Sequence, residues 1–139
     1  MVMSNEERCW KKLWHNVNMS SAHGAAGART ETNPKLQGRI RKGNQSTSYH
    51  EVHITLDDLK SQWDKQNGKC YWLGIDMSLP DLMVSRSPFA PSVDRLDSAG
   101  HYTVDNIVLT TRFANLGRGA YDGDDFQERL TNLINEREQ

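Results

Sequence analysis

The chain has 139 residues, 36% of them hydrophobic and 25% charged, which allows one domain of ordinary size with a modest core and an extension. No apolar run reaches membrane-spanning length and the N-terminus lacks the apolar core of a signal peptide, so a non-membrane, cytoplasmic protein is expected. The formal net charge of -1 hides an asymmetry: residues 1–50 hold eight Lys or Arg against three acids, and the remainder holds nine against fifteen. A basic arm beside an acidic body suits a protein that grips phosphates with one part and stays dissolved with the other.

Glu6 to Val17 reads as a first helix, with Trp10, Leu13, Trp14 and Val17 as its apolar stripe. From Met19 to about Ser48 the chain is rich in Ser, Ala, Gly, Thr and Asn and carries Pro34 and a basic cluster, Arg39, Arg41 and Lys42. That composition predicts a linker, or a loop that orders on a partner. Thr55 with Asp58 three residues on predicts a capping box, followed by a helix that buries Leu56, Leu59 and Trp63 and stops at Gly68. Cys9 and Cys70 are too few for a four-cysteine zinc site, so no structural zinc is expected, and Trp63, Tyr71, Trp72 and Phe113 are expected to contribute packing. An unpaired thiol also fits a reducing compartment. Leu79 to Pro91 contains three prolines and reads as an excursion.

The densest signal is Ser92 to Arg118, SVDRLDSAGHYTVDNIVLTTRFANLGR. Val93 and Leu96 bracket polar residues, and Ile107, Val108 and Leu109 form a β-branched apolar run, so two strands are predicted. Asp97, Ser98 and Gly100 supply turn chemistry between them. Thr110 or Thr111 can cap a helix in which Phe113, Leu116 and Ala120 face a core and Arg112, Asn115 and Arg118 face outward. An amide oxygen between two guanidinium groups suits a hard metal ion held beside a phosphate. A last helix begins near Asp124, with Phe126, Leu130, Leu133 and Ile134 as its stripe, which is core or a homodimer surface.

The run VDR…DN-IVLTT…N-x-x-R resembles the HNH endonuclease motif, in particular the phage-encoded and homing-endonuclease branches, and the lead-in ITLDDLKSQWDKQNGKCYWLGIDM is similar to the helix and "GxC-x-x-x-G" segment that precede it. The resemblance covers roughly Leu56 to Ala120. It implies an α+β fold with a ββα-metal core at 51–121, a basic DNA-contacting arm at 1–50 and a C-terminal amphipathic helix at 122–139. It implies a divalent-metal-dependent nuclease that hydrolyses phosphodiester bonds in double-stranded DNA, with Mg²⁺ or Mn²⁺ as cofactor, acting as a monomer or homodimer in a host cytoplasm.

Residue by residue, the resemblance makes Asp94 the metal ligand on the first strand, Asn115 the ligand on the helix and Asn106 a brace for the loop. Arg112 and Arg118 would clamp phosphates, aided by Arg39, Arg41 and Lys42. One position departs: Arg95 stands where the family has the histidine that activates water, and arginine stays protonated at ordinary pH. Arg95 then holds the scissile phosphate while another group attacks, or His101 in the loop is the base, or the site is catalytically impaired and only binds DNA. Adjacent strand residues point to opposite faces, so Asp94 and Arg95 share a site only if the strand ends or bulges there. His15, His23, His50 and His53 show no metal spacing and read as surface residues. Taken singly, Asp94 reads as half of a surface ion pair and His101 as a loop histidine; only their joint spacing with Asn106 and Asn115 raises the functional reading.

Overall fold

The computed structural model describes residues 2–30 and 50–138, with side chains described for 2–19 and 50–138. The fold is α+β. Helix α1 spans Asn5–Thr30, α2 spans Leu56–Lys65, a 3-10 helix spans Leu79–Met83, and β1 at Pro91–Arg95 pairs antiparallel with β2 at Ile107–Thr111. Helices α3 at Arg112–Arg118 and α4 at Gly123–Glu138 complete it.

The apolar stripe on α1 forms as its spacing predicts: Trp10, Leu13 and Val17 are buried together with Cys9. Trp10 meets Trp63 of α2 edge-on at 5.7 Å, so the first half of α1 belongs to the same core as the rest of the chain. Burial, with Glu6 nearby, pushes the Cys9 thiol above its usual range. The helix also runs to Thr30, well into the stretch whose composition suggests a linker. Arg39, Arg41 and Lys42 lie outside the described residues.

The capping box at α2 is complete. Asp58 N–H donates to Thr55 Oγ1 at 3.2 Å and Thr55 N–H donates to Asp58 Oδ2 at 2.8 Å, the shorter carboxylate reaching as well as a glutamate would. Past α2, Gly68 takes φ of 68°, which only glycine adopts without strain, and its N–H returns to Trp63 O at 3.0 Å. The proline-containing excursion is partly ordered by the 3-10 helix, whose Leu82 enters the core.

Two aromatic expectations change. Trp72 is 5% exposed, but Tyr71 is 41% and Phe113 is 58% exposed, so neither of the latter fills the core. In α4, Phe126 and Leu130 pack against the core while Leu133 and Ile134 stay exposed. Among the described residues no helix is long and apolar enough to cross a membrane.

Candidate functional site

The hairpin register decides what faces what. Val93 opposes Leu109 on the core face, while Ser92 opposes Thr110 and Asp94 opposes Val108 on the other face. That second face is covered by α3, which starts directly after β2. Thr111 ends the strand and also caps the helix, its hydroxyl accepting from Ala114 N–H at 3.2 Å.

Helix α3 is turned relative to the amphipathic expectation. Ala114 and Arg118 are buried, whereas Phe113 and Leu116 are exposed. The reason lies in β1, whose Ser92 and Asp94 present polar atoms inward and must be met by polar partners. Asn115 Nδ2 donates to Ser92 Oγ at 2.7 Å and to Val93 O at 3.3 Å. Arg118 Nη1 donates to Asp94 Oδ2 at 3.0 Å in an ion pair whose side chains are 3% and 7% exposed.

Arg118 is therefore a structural rivet. Its Nε donates to Tyr121 O at 2.8 Å, Nη1 also to Arg95 O at 2.7 Å, and Nη2 to Leu96 O at 2.7 Å. Its guanidinium lies 5.0 Å from the centre of the Trp72 ring, and Trp72 Nε1 donates to the same Asp94 Oδ2 at 2.9 Å. A guanidinium this committed and this buried does not serve as an exposed phosphate clamp, which corrects the role expected for Arg118. Arg112, by contrast, is exposed at the first position of α3, and its N–H donates to Ala90 O at 2.8 Å.

The two expected ligands each spend one side-chain atom on the protein. Asp94 uses Oδ2, and Asn115 uses its amide nitrogen. Those bonds leave Asp94 Oδ1 and Asn115 Oδ1 as the oxygen donors of the pair. Among the described residues no group of three or more His, Cys, Asp or Glu side chains is placed to hold a metal ion.

Arg95 points away from Asp94, as strand alternation requires. Its Nη1 donates to Ser98 O, to Gly100 O at 2.8 Å and to His50 Nδ1 at 2.8 Å, and its guanidinium lies 5.2 Å from the centre of the Tyr102 ring. The hairpin does not bulge to bring Asp94 and Arg95 to one point, so Arg95 anchors the loop beyond β1. Asn106 clasps the same loop from the other end. Its Oδ1 accepts from Asp97 N–H at 2.8 Å, and its Nδ2 donates to Asp97 O at 3.1 Å and His101 O at 3.0 Å.

His101 is exposed, but Nδ1 accepts from Glu51 N–H at 2.9 Å. That bond occupies the Nδ1 lone pair, which is then not free to take a proton from water. The general-base role expected for His101 does not fit this arrangement. The segment before α2 is held to the loop by a bridge between Val52 and Tyr102, and it carries His50 and His53 to His101, with ring centres 6.1 and 6.2 Å away. His50 is 5% exposed, which corrects its reading as a surface residue; His53 and His15 are exposed. A contact between residues 50 positions apart leaves no local mark in the sequence. Nor does Trp72 advertise that its indole N–H holds the Asp94 carboxylate.

On the side of α3 away from Arg118, a cleft of about 890 Å³ opens between α1, residues 82–93 and α3. Ser92, Arg112 and Asn115 line it together with Lys12 and Arg86, two cations with no motif around them. No protein-family model matches this chain, and comparison with curated proteins and with solved structures returns no significant match.

Proposed function

We propose that the chain is a divalent-metal-dependent DNA endonuclease of the HNH type. The observation that carries the reading is the hairpin followed without a linker by α3, with Asp94 on the strand and Asn115 on the helix each keeping one oxygen outside its protein bonds. Hard divalent cations take carboxylate and amide oxygens, so this donor pair fits Mg²⁺ or Mn²⁺ in chemistry. When bound there, such an ion would supply charge stabilisation to a phosphodiester under attack.

The chain's own residues supply the rest. Arg118 and Trp72 hold the Asp94 carboxylate in one orientation by donating to a single oxygen. Ser92 accepts from the Asn115 amide nitrogen and so orients the amide oxygen the opposite way. Arg112 offers an exposed guanidinium beside Asn115 for a neighbouring phosphate. Arg95 and Asn106 keep the intervening loop in shape.

A second reading is favoured by one specific observation: Arg95 and His101 are both spent on the loop, so neither supplies a general base. On that reading the chain is a catalytically impaired HNH-fold module that binds DNA. Plasmid nicking in Mg²⁺ or Mn²⁺ separates the two. Cleavage abolished by EDTA and by Asp94→Asn, which keeps the shape of the side chain, supports the nuclease. Cleavage that survives either treatment removes the metal assignment, and salt-sensitive DNA binding with no scission under either metal selects the binding module.

A further inference from the structure

Three cations reach the cleft beside α3 from separate parts of the chain: Lys12 from α1, Arg86 from the segment between the 3-10 helix and β1, and Arg112 from α3. All three are exposed, and among the described residues no Asp or Glu lines the cleft. Nor is any of the three in an ion pair among the described residues, whereas Lys69, Arg118 and Arg129 each meet an aspartate. The chain after residue 50 holds fifteen acids against nine bases, so carboxylates are not scarce; they are kept out of this one concavity. Like charges left together in a concave, low-dielectric wall raise its potential and suit it to an anion from outside.

Arg86 adds a second observation. It sits at φ of 60°, in the left-handed region that costs a residue with a side chain and costs glycine nothing. Ser87 Oγ braces the turn, donating to Asp81 Oδ2 at 3.2 Å and accepting from Phe89 N–H at 3.2 Å. The backbone here would accept glycine more readily, so what arginine brings to the position is its guanidinium.

We infer that the cleft carries the phosphate backbone of one strand of a DNA duplex, with Lys12, Arg86 and Arg112 as its phosphate contacts. On the DNA reading above, on which this rests, the track is continuous with the site, because Ser92 and Asn115 line the same cleft as the three cations. A strand held at Asn115 runs directly onto them. The exposed Met83, Val84 and Leu116 on the walls offer apolar surface to the sugars between phosphates. Contacts to phosphate and sugar position a duplex without reading its bases, so the cleft adds affinity and register but no sequence preference.

The test is fluorescence anisotropy of the full chain on a labelled short DNA duplex, in EDTA so that no metal-dependent cleavage contributes, read as the slope of log affinity against log salt. Lys12→Gln and Arg86→Gly are each expected to flatten the slope by about 0.9, and the pair by about 1.8, equally on duplexes of unrelated sequence. Lys12→Arg keeps the charge and the parent slope, and Lys65→Gln, on α2 and outside the cleft, leaves the slope unchanged. Arg86→Gly melts no lower than the parent, because glycine accepts the left-handed backbone, so its loss is one of contact and not of fold. If it does melt lower, Arg86→Asn, which also tolerates that backbone, takes its place. Absence of duplex binding, a slope unchanged in the paired variant, or competition by polyglutamate as strong as by unlabelled duplex overturns the inference, the last in favour of an acidic protein partner. Flattened slopes in EDTA without nicking in Mg²⁺ or Mn²⁺ remove the nuclease reading alone, and nicking with an unchanged slope in the paired variant removes the cleft track alone.

Discussion

Asp94 of β1 and Arg118 at the end of α3 form an ion pair at 3.0 Å, buried at both partners and shared with the Trp72 indole. Breaking such a pair leaves an uncompensated charge out of water. Arg118→Met is expected to lower stability by about 3–5 kcal/mol, read from the urea midpoint. Arg118→Lys keeps the charge but loses the fork that also holds Arg95 O and Leu96 O, so it recovers only part of the loss.

The loop clasp gives a second expectation. Asn106→Ala removes bonds to Asp97 and His101 backbone, and a loss of about 1–2 kcal/mol is expected at this partly exposed position. Gly100→Ala tests the same contact from the other side, because a Cβ there would lie 2.8 Å from Asn106 Nδ2. Hydrogen exchange at Asp97 N–H should accelerate in both variants, and unchanged protection would show that Asn106 does not hold the loop.

Trp72 offers a third. A Cβ at Gly123 would meet the Trp72 ring at 2.6 Å, and that ring is fixed by Asp94, Arg118 and an edge-on contact with Phe126 at 5.8 Å. Gly123→Ala is expected to cost about 1–3 kcal/mol by overpacking, despite being a change that usually favours a helix. A melting temperature equal to that of the parent would refute this.

Cys9 is buried and its thiol is raised by burial and by Glu6, so the reactive thiolate is scarce in the folded chain. Iodoacetamide at neutral pH should label Cys9 only after denaturant is added. Prompt labelling of the native chain would mean that α1 opens from the core.

Thr55→Ala removes one arm of the capping box and is expected to cost about 1 kcal/mol by thermal denaturation.

Legibility in the sequence followed the range of the interactions. The capping box, the two strands and the stripe of α1 depend on neighbours within one or two turns, and each formed where its pattern lies. The facing of α3 did not follow its apolar spacing, because a seven-residue helix has little apolar area to set against the polar face of Ser92 and Asp94. Asp94 and Asn115 were legible as one strand residue and one helix residue, yet the partners that fix them, Trp72 and Ser92, were not. Lys12 and Arg86 were invisible as a set because they are far apart in the chain and meet only across the cleft.

The shared residue Thr111 constrains how this chain can vary in length. A helix advances about 100° per residue, so one residue inserted between β2 and α3 would swing Arg118 a quarter-turn or more from Asp94 and Asn115 from Ser92. Insertions are tolerable between Asp97 and Val104 only if Asn106 can still close the loop, and at the strand–helix junction they are not tolerable at all. The hairpin and helix thus behave as a single gear, whose teeth can be replaced but whose count cannot.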